Sequence, residues 1–131
     1  MDEPGSAVRI ARRLAGAPAS PREVSAGAAV ALAADGAWFE RDGRRVSLAR
    51  RHAMRRLLHA LVVHLRNAPG SAMSTDGLVA AGWPGERMRP DSGAARVYSA
   101  VRALRRMGLE GVLISAHGGY LLSATASIAV A

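Results

Sequence analysis

The 131-residue chain is 50% hydrophobic, which fits one globular domain and leaves little room for a second core. Cysteine is absent, so disulfides, thiolate metal sites and cysteine nucleophiles are excluded, and no apolar run reaches the roughly 18 to 20 residues of a membrane span. Basic residues outnumber acidic ones 18 to 10, and every basic residue is arginine. This balance favours polyanionic partners, although a coding bias toward GC-rich codons would produce the same arginine excess.

Residues 1–27 have the composition of a leader or linker. Proline and glycine recur among alanine, serine and arginine, which interrupts helices and strands. A short helix from Ser6 to Leu14 would be marginal by itself in water. Three arginines break up the apolar residues of this segment, so we expect no secretory signal and a cytoplasmic location.

Residues 28–48 are predicted to form a small antiparallel β-meander. Short apolar stretches alternate here with two Asp-Gly pairs, at Asp35-Gly36 and Asp42-Gly43. Asp-Gly between apolar runs is a strong hairpin signal, because glycine accepts the positive φ that tight hairpin turns require.

Three helices follow. The first, over residues 49–67, has an apolar stripe at spacings of three and four, formed by Met54, Leu57, Leu58, Leu61, Val62 and Leu65. The second begins after a cap at Ser74 or Thr75 and ends near Trp83, before a proline. The third is predicted over residues 92–107, with Asp91 or Ser92 as its cap, Gly108 at its end, and a buried face of Val97, Val101 and Leu104.

A terminal β-hairpin is predicted over residues 112–122. Two apolar stretches flank a turn at His117-Gly118-Gly119. The last residues, 124–131, are small and apolar, and we expect this tail to fray. The predicted fold class is therefore α+β.

In this order the elements resemble the OmpR-type winged-helix effector domain of bacterial transcriptional regulators. The stretch DGLVAAGWPG at 76–85 resembles that family's second helix, and Leu104-Arg105-Arg106 resembles the end of its recognition helix. The stretch ISAHGGYLL at 114–122 is similar to its wing, and residues 46–48 and 57–61 match its strand and first helix. The resemblance covers about residues 28–123. The 27-residue leader is too short to fold a phosphoacceptor receiver domain, so we expect none in this sequence.

The resemblance implies binding of double-stranded DNA, with the third helix in the major groove and the hairpin wing near the minor groove. Successive residues of a helix are rotated by about 100°, so the side opposite the buried face is predicted to be an outward face that exposes arginines. The predicted DNA-binding residues are Arg96, Ser99, Arg102, Ala103, Arg106 and His117. The family also implies a loop that touches RNA polymerase, here Gly85, Glu86, Arg87 and Arg89. A separate sensor protein and a homodimer on DNA are the other partners that the resemblance suggests.

Two departures from the family keep an alternative open. Ala95 and Ala103 lie on the outward face where family members usually carry polar or basic residues, and the wing offers only His117 where arginine is common. The alternative is a winged-helix protein-interaction module without sequence-specific DNA binding, whose small-residue surface of Ala95, Ser99 and Ala103 accepts a partner helix.

No enzymatic chemistry is predicted. His52 and His59 share a helix face but lie seven residues apart, whereas helical metal ligands usually lie three or four apart. The acidic residues are scattered, and the glycine pair near residue 118 lacks the context of a phosphate loop. We therefore expect no catalytic site, no metal and no cofactor.

Overall fold

The computed structural model describes residues 30–131, and it begins with the predicted antiparallel meander. Its three strands are β1 (Val30–Leu32), β2 (Trp38–Arg41) and β3 (Arg44–Ser47). Asp42 and Gly43 form the two-residue turn between β2 and β3, with φ of 55° and 78°. The other Asp-Gly pair lies in a longer connection over residues 33–37, where the Asp35 carboxylate accepts a hydrogen bond from the Ala37 amide at 3.0 Å.

The C-terminal residues correct the expectation of a frayed tail. Strand β7 (Ile128–Val130) pairs in parallel with β1, so the first sheet has the order β3-β2-β1-β7. The Val30 amide donates to the Ser127 carbonyl at 2.9 Å, and the Ala131 amide donates to the Leu32 carbonyl at 2.8 Å. These hydrogen bonds satisfy the edge of β1, and two apolar side chains of β7 pack against the core. The predicted leader at 1–27, with its short helix, lies outside the described residues.

The three predicted helices are present with shifted ends: α1 (His52–Asn67), α2 (Thr75–Gly82) and α3 (Pro90–Leu104). Helix α1 begins three residues later than predicted, and Ser74, not Thr75, caps α2 by accepting a hydrogen bond from the Gly77 amide at 3.0 Å. Helix α3 begins at Pro90, a residue whose fixed φ suits the first helical position. Its regular part ends earlier than predicted, in a π turn (Arg105–Leu109) that Gly108 breaks with φ of 144°.

The predicted hairpin is also present, as β5 (Leu113–Ala116) and β6 (Gly119–Leu122). A two-residue strand before α2, β4 (Met73–Ser74), pairs with β6, which gives a second sheet of order β4-β6-β5. The hairpin turns at His117 and Gly118, with φ of 50° and 77°. The hydroxyl of Thr75 donates to the Gly118 carbonyl at 3.2 Å and so holds the start of α2 against this turn.

One apolar core joins the two sheets and the three helices. Its fully buried members come from every layer, among them Leu32, Phe39, Leu58, Leu78, Val101, Leu104 and Leu122. Helices α2 and α3 pack on each other and on α1, and the β5–β6 hairpin follows α3. This is a winged-helix arrangement in the α+β class, as predicted. Within residues 30–131 no helix is long and apolar enough to cross a membrane.

Candidate nucleic-acid interface

The phase of α3 confirms the predicted buried face. Val97, Val101 and Leu104 are fully buried, and Gly93 and Ala100 are buried beside them. Gly93 lies against Val79 of α2, where a Cβ would come within 3.0 Å of the valine side chain. This close approach of α2 and α3 fixes which side of α3 faces outward.

The outward face carries two arginines without partners. Ala95, Ser99, Arg102 and Arg106 are exposed, and Ala103 is half-buried. The side chains of Arg102 and Arg106 make no hydrogen bond or ion pair with any other residue in the range 30–131. Arg102 lies in α3 and Arg106 in the π turn directly after it, so two guanidinium groups are available there for an anionic partner.

Arg96, also predicted to bind DNA, is already engaged. Its Nη1 lies 3.0 Å from a carboxylate oxygen of Glu86, and its guanidinium lies 5.9 Å from the centre of the Trp83 ring. The ion pair is about half exposed on both sides, so it is screened by water and weak. Arg96 can exchange Glu86 for a phosphate at small cost.

The predicted polymerase-contact loop lies between α2 and α3. Gly85 holds a positive φ of 80°, which lets the chain turn after Pro84. Arg87 and Arg89 are exposed, whereas Glu86 faces back to α3 through its ion pair with Arg96. The loop and the start of α3 therefore form one continuous surface.

Arg105 holds the wing to the end of α3, and sequence reasoning missed this role. Its Nε donates to the Leu113 carbonyl at 2.8 Å, and its Nη2 donates to the Ser115 hydroxyl at 2.9 Å. The guanidinium also lies 5.8 Å from the Tyr120 ring centre. In the sequence, one signal distinguishes Arg105 from Arg106: the helical repeat places Arg105 about a quarter turn away from the outward face.

The tip of the wing presents the remaining predicted site residue. His117 is exposed at the hairpin turn, in the left-handed conformation. On the wing side of α3, Tyr98 is 54% exposed, unusually open for a large aromatic residue. Its phenol offers a hydroxyl donor and a flat apolar face to any molecule that covers this side of α3.

An apolar groove of about 420 Å³ runs along the other flank of α3. It lies between the start of α1 and the middle of α3 and is lined by Ala53, Met54, Trp83, Ala95, Arg96, Ser99 and Ala100. Of the small residues named for a protein-binding surface, Ala95 and Ser99 line this groove, and Ala103 does not.

No cluster of three or more histidine, aspartate or glutamate side chains in the described part of the chain could hold a metal ion. His52 and His59 are both exposed on α1. Within residues 30–131, the carboxyl with a clear pKa shift is that of Asp35, whose pKa is lowered by the hydrogen bond from the Ala37 amide and by nearby Arg55. That side chain belongs to a turn of the first sheet, so its shift has a structural origin.

No protein-family model and no curated protein matches this sequence. Among solved structures, the chain is similar to the DNA-binding domain of E. coli CadC, with 17% sequence identity and a TM-score of 0.45, covering 73% of this chain and 92% of that chain. The strand order and helix packing of this chain itself define the winged-helix arrangement.

Proposed function

We propose that this protein is a DNA-binding transcriptional regulator that inserts α3 into the major groove. The observation that carries the proposal is the outward face of α3 and of the π turn that follows it, where the side chains of Arg102 and Arg106 are exposed and without partners within residues 30–131. The planar guanidinium fork binds a guanine edge or a phosphate through two hydrogen bonds. Arg96 joins this face when it leaves Glu86.

The composition of the face favours phosphate contacts over base readout. Ala95 and Ala103 offer no hydrogen-bonding group, so base recognition falls to Ser99 and the arginines. The wing, with His117 at its tip, would lie near the minor groove. Affinity would then come mainly from charge, with a modest preference for sequence.

Salt-dependent DNA binding tests the proposal. Wild-type protein and the triple variant Arg96→Ala, Arg102→Ala, Arg106→Ala would be titrated onto fluorescent random duplex DNA by anisotropy at several salt concentrations. If each arginine holds one phosphate, the log-log slope falls by about 2.7 in the variant. Arg66→Ala, an exposed arginine at the end of α1, is the control for lost charge alone.

Circular dichroism would verify that the variants fold. A wild-type protein that ignores DNA at low salt contradicts the proposal. If the triple variant binds DNA as tightly as wild type, the protein binds DNA through a surface other than α3.

Glu86→Gln is the opposite test, because it releases Arg96. We expect DNA affinity to rise about two- to threefold, the size expected for an exposed ion pair. Asp35→Asn is the matched control: it also removes one carboxylate from an exposed ion pair, with Arg55 at 3.5 Å, but away from α3. An equal gain in both variants would show that net charge alone, and not the release of Arg96, changes affinity.

The resemblance to OmpR-type effector domains supports the finer parts of the proposal. The regulator would act in the cytoplasm, as a monomer or a homodimer on DNA, with its signal coming from a separate sensor protein. The loop of Gly85, Glu86, Arg87 and Arg89 would touch RNA polymerase. Substitutions of Arg87 and Arg89 that abolish activation of a reporter gene while DNA affinity stays unchanged would support that contact.

A protein-interaction module is the second candidate, favoured by the apolar groove beside α3. A partner helix seated there would bury Met54 and Trp83, and its affinity would change little with salt. DNA binding falls steeply as salt rises. The same titration therefore separates the two candidates.

A further inference from the structure

A second arginine-lined feature lies where the first sheet meets the end of α3. A cleft of about 240 Å³ opens between the β2–β3 turn and the π turn that follows α3. It is lined by Phe39, Arg41, Asp42, Arg44, Arg105, Arg106, Met107, Gly108 and Glu110. Four of these residues are cationic and two are anionic.

Two of the four arginines are committed to the fold. Nη1 of Arg41 donates to the Gly108 carbonyl at 3.0 Å and to the Glu110 carbonyl at 2.6 Å, and Arg105 donates to the wing. Carbonyl oxygens at the end of a helix attract cations and repel anions. Because Arg41 covers them, these carbonyl oxygens do not oppose an anion, and the opposing charges in the lining are the carboxylates of Asp42 and Glu110.

The other two arginines are available. Arg44 and Arg106 are exposed, and within residues 30–131 neither side chain makes a hydrogen bond, an ion pair or a ring contact. They come from different elements, the β2–β3 hairpin and the end of α3, and they line the same cleft. A single phosphate between them would receive charge-assisted hydrogen bonds from both guanidinium groups.

We propose that this cleft binds one backbone phosphate of the bound DNA, held between Arg44 and Arg106. The inference rests on the proposed function, and it adds the β2–β3 hairpin as a second point of contact beside α3. Small-molecule pockets usually enclose about 300 to 1,000 Å³, so the cleft suits one anionic group better than a whole nucleotide. Arg106 lies in the π turn directly after α3 and therefore connects the cleft to the end of the proposed DNA surface.

The test is a double-mutant cycle on the full chain. DNA binding would be measured by anisotropy, with the same random duplex and salt series, for Arg44→Ala, Arg106→Ala and the double variant. We expect each single variant to bind about three- to tenfold more weakly and the slope to fall by about 0.9. If one phosphate is shared, the double variant loses less than the product of the two single losses.

Two further variants make the result specific. Arg66→Ala removes an exposed arginine outside the cleft and α3, and it should leave both affinity and slope nearly unchanged. Arg44→Lys keeps the charge but loses the planar fork, so it should retain the slope and recover part of the affinity. Arg44 is exposed beside an open turn, and thermal melts would verify that its substitution leaves the fold intact.

The outcomes separate this inference from the proposed function. If wild type binds DNA and Arg44→Ala behaves like Arg66→Ala, the cleft proposal is wrong while the role of α3 stands. If the loss of DNA affinity in the double variant equals the product of the two single losses, the two arginines act as separate contacts. That result would also overturn the shared phosphate. If wild type binds no DNA, both proposals fail.

A titration with inorganic phosphate at constant ionic strength tests whether the anion in the cleft comes from another source. Binding would be followed by the chemical shifts of backbone amides near Gly108. A response that depends on Arg44, together with DNA affinity that does not, would assign the cleft to a free phosphorylated ligand and overturn the DNA contact.

Discussion

The two hairpins that flank the end of α3 use the same turn and differ in charge. The β2–β3 hairpin turns at Asp42-Gly43 and the wing turns at His117-Gly118, and all four residues have positive φ. Both hairpins are tied to the end of α3 by an arginine that donates two hydrogen bonds: Arg41 from the first hairpin, and Arg105 toward the wing.

Charge separates the two hairpins. Arg44 and Arg45 follow the first turn directly, whereas the tip of the wing carries only His117. Arg45 is paired with Glu40 at 3.0 Å and lies over the Trp38 ring at 3.8 Å, so Arg44 is the cation of this hairpin that remains available. The positive charge that a wing commonly supplies is thus carried here by the β2–β3 hairpin. The shared turn geometry explains the backbone of each hairpin, and the charge decides which of them attracts an anion.

The largest expected difference between the two hairpins is the loss of stability when one of their glycines is replaced, because the packing around these glycines differs. Gly119 is buried against β4, where a Cβ would collide with the Met73 backbone, whereas a Cβ on Gly43 would meet nothing within 4 Å. Gly119→Val should therefore lower the free energy of unfolding by about 3 kcal/mol. Gly43→Ala should cost only about 1 kcal/mol, because its strain comes from positive φ alone. Urea denaturation measures both, and equal losses would contradict the packing difference.

Substitution of Arg41 or Arg105, the arginines that hold the two hairpins to the end of α3, should give the next largest effect on stability. Arg105→Ala removes two hydrogen bonds and Arg41→Ala removes at least two, so each should lower the free energy of unfolding by about 1 to 2 kcal/mol. The location of the damage should differ. We expect faster hydrogen exchange in β5 and β6 for Arg105→Ala, and around residues 108–110 for Arg41→Ala. Exchange that rises uniformly in both variants would show that the hairpins are not held separately.

Local patterns in the sequence predicted much of this fold. The spacing of Val97, Val101 and Leu104 gave the buried face of α3, because a helix repeats every 3.6 residues whatever its surroundings. Asp42-Gly43 gave a hairpin turn, because few residue pairs accept two positive φ values. Strand β7 was missed: its partner β1 lies at the other end of the described chain, and a strand of three residues is too short for its apolar alternation to predict a pairing.

The candidate site was less accessible from the sequence. Arg105 and Arg106 are neighbours, yet one bonds to the wing and the other has no partner within residues 30–131. Their directions depend on the π turn, which no local pattern announced. The pair between Arg96 and Glu86 spans an irregular loop, so its geometry follows from the packing of α2 on α3. Composition supplied the cations, and tertiary structure decided which of them are available.

The smallest expected effect tests whether the wing lies near DNA despite its low charge. His117→Arg adds to the wing the cation that the other hairpin already has in Arg44, and a new phosphate contact should raise DNA affinity about threefold and the salt slope by about 0.9. His117→Asn is the control, because asparagine tolerates the left-handed conformation of this turn and adds no charge. Arginine strains the turn slightly more, so thermal melts would accompany the anisotropy measurements. If arginine and asparagine give the same affinity, the wing tip is distant from the phosphates, and the DNA contacts beyond α3 would belong to the β2–β3 hairpin.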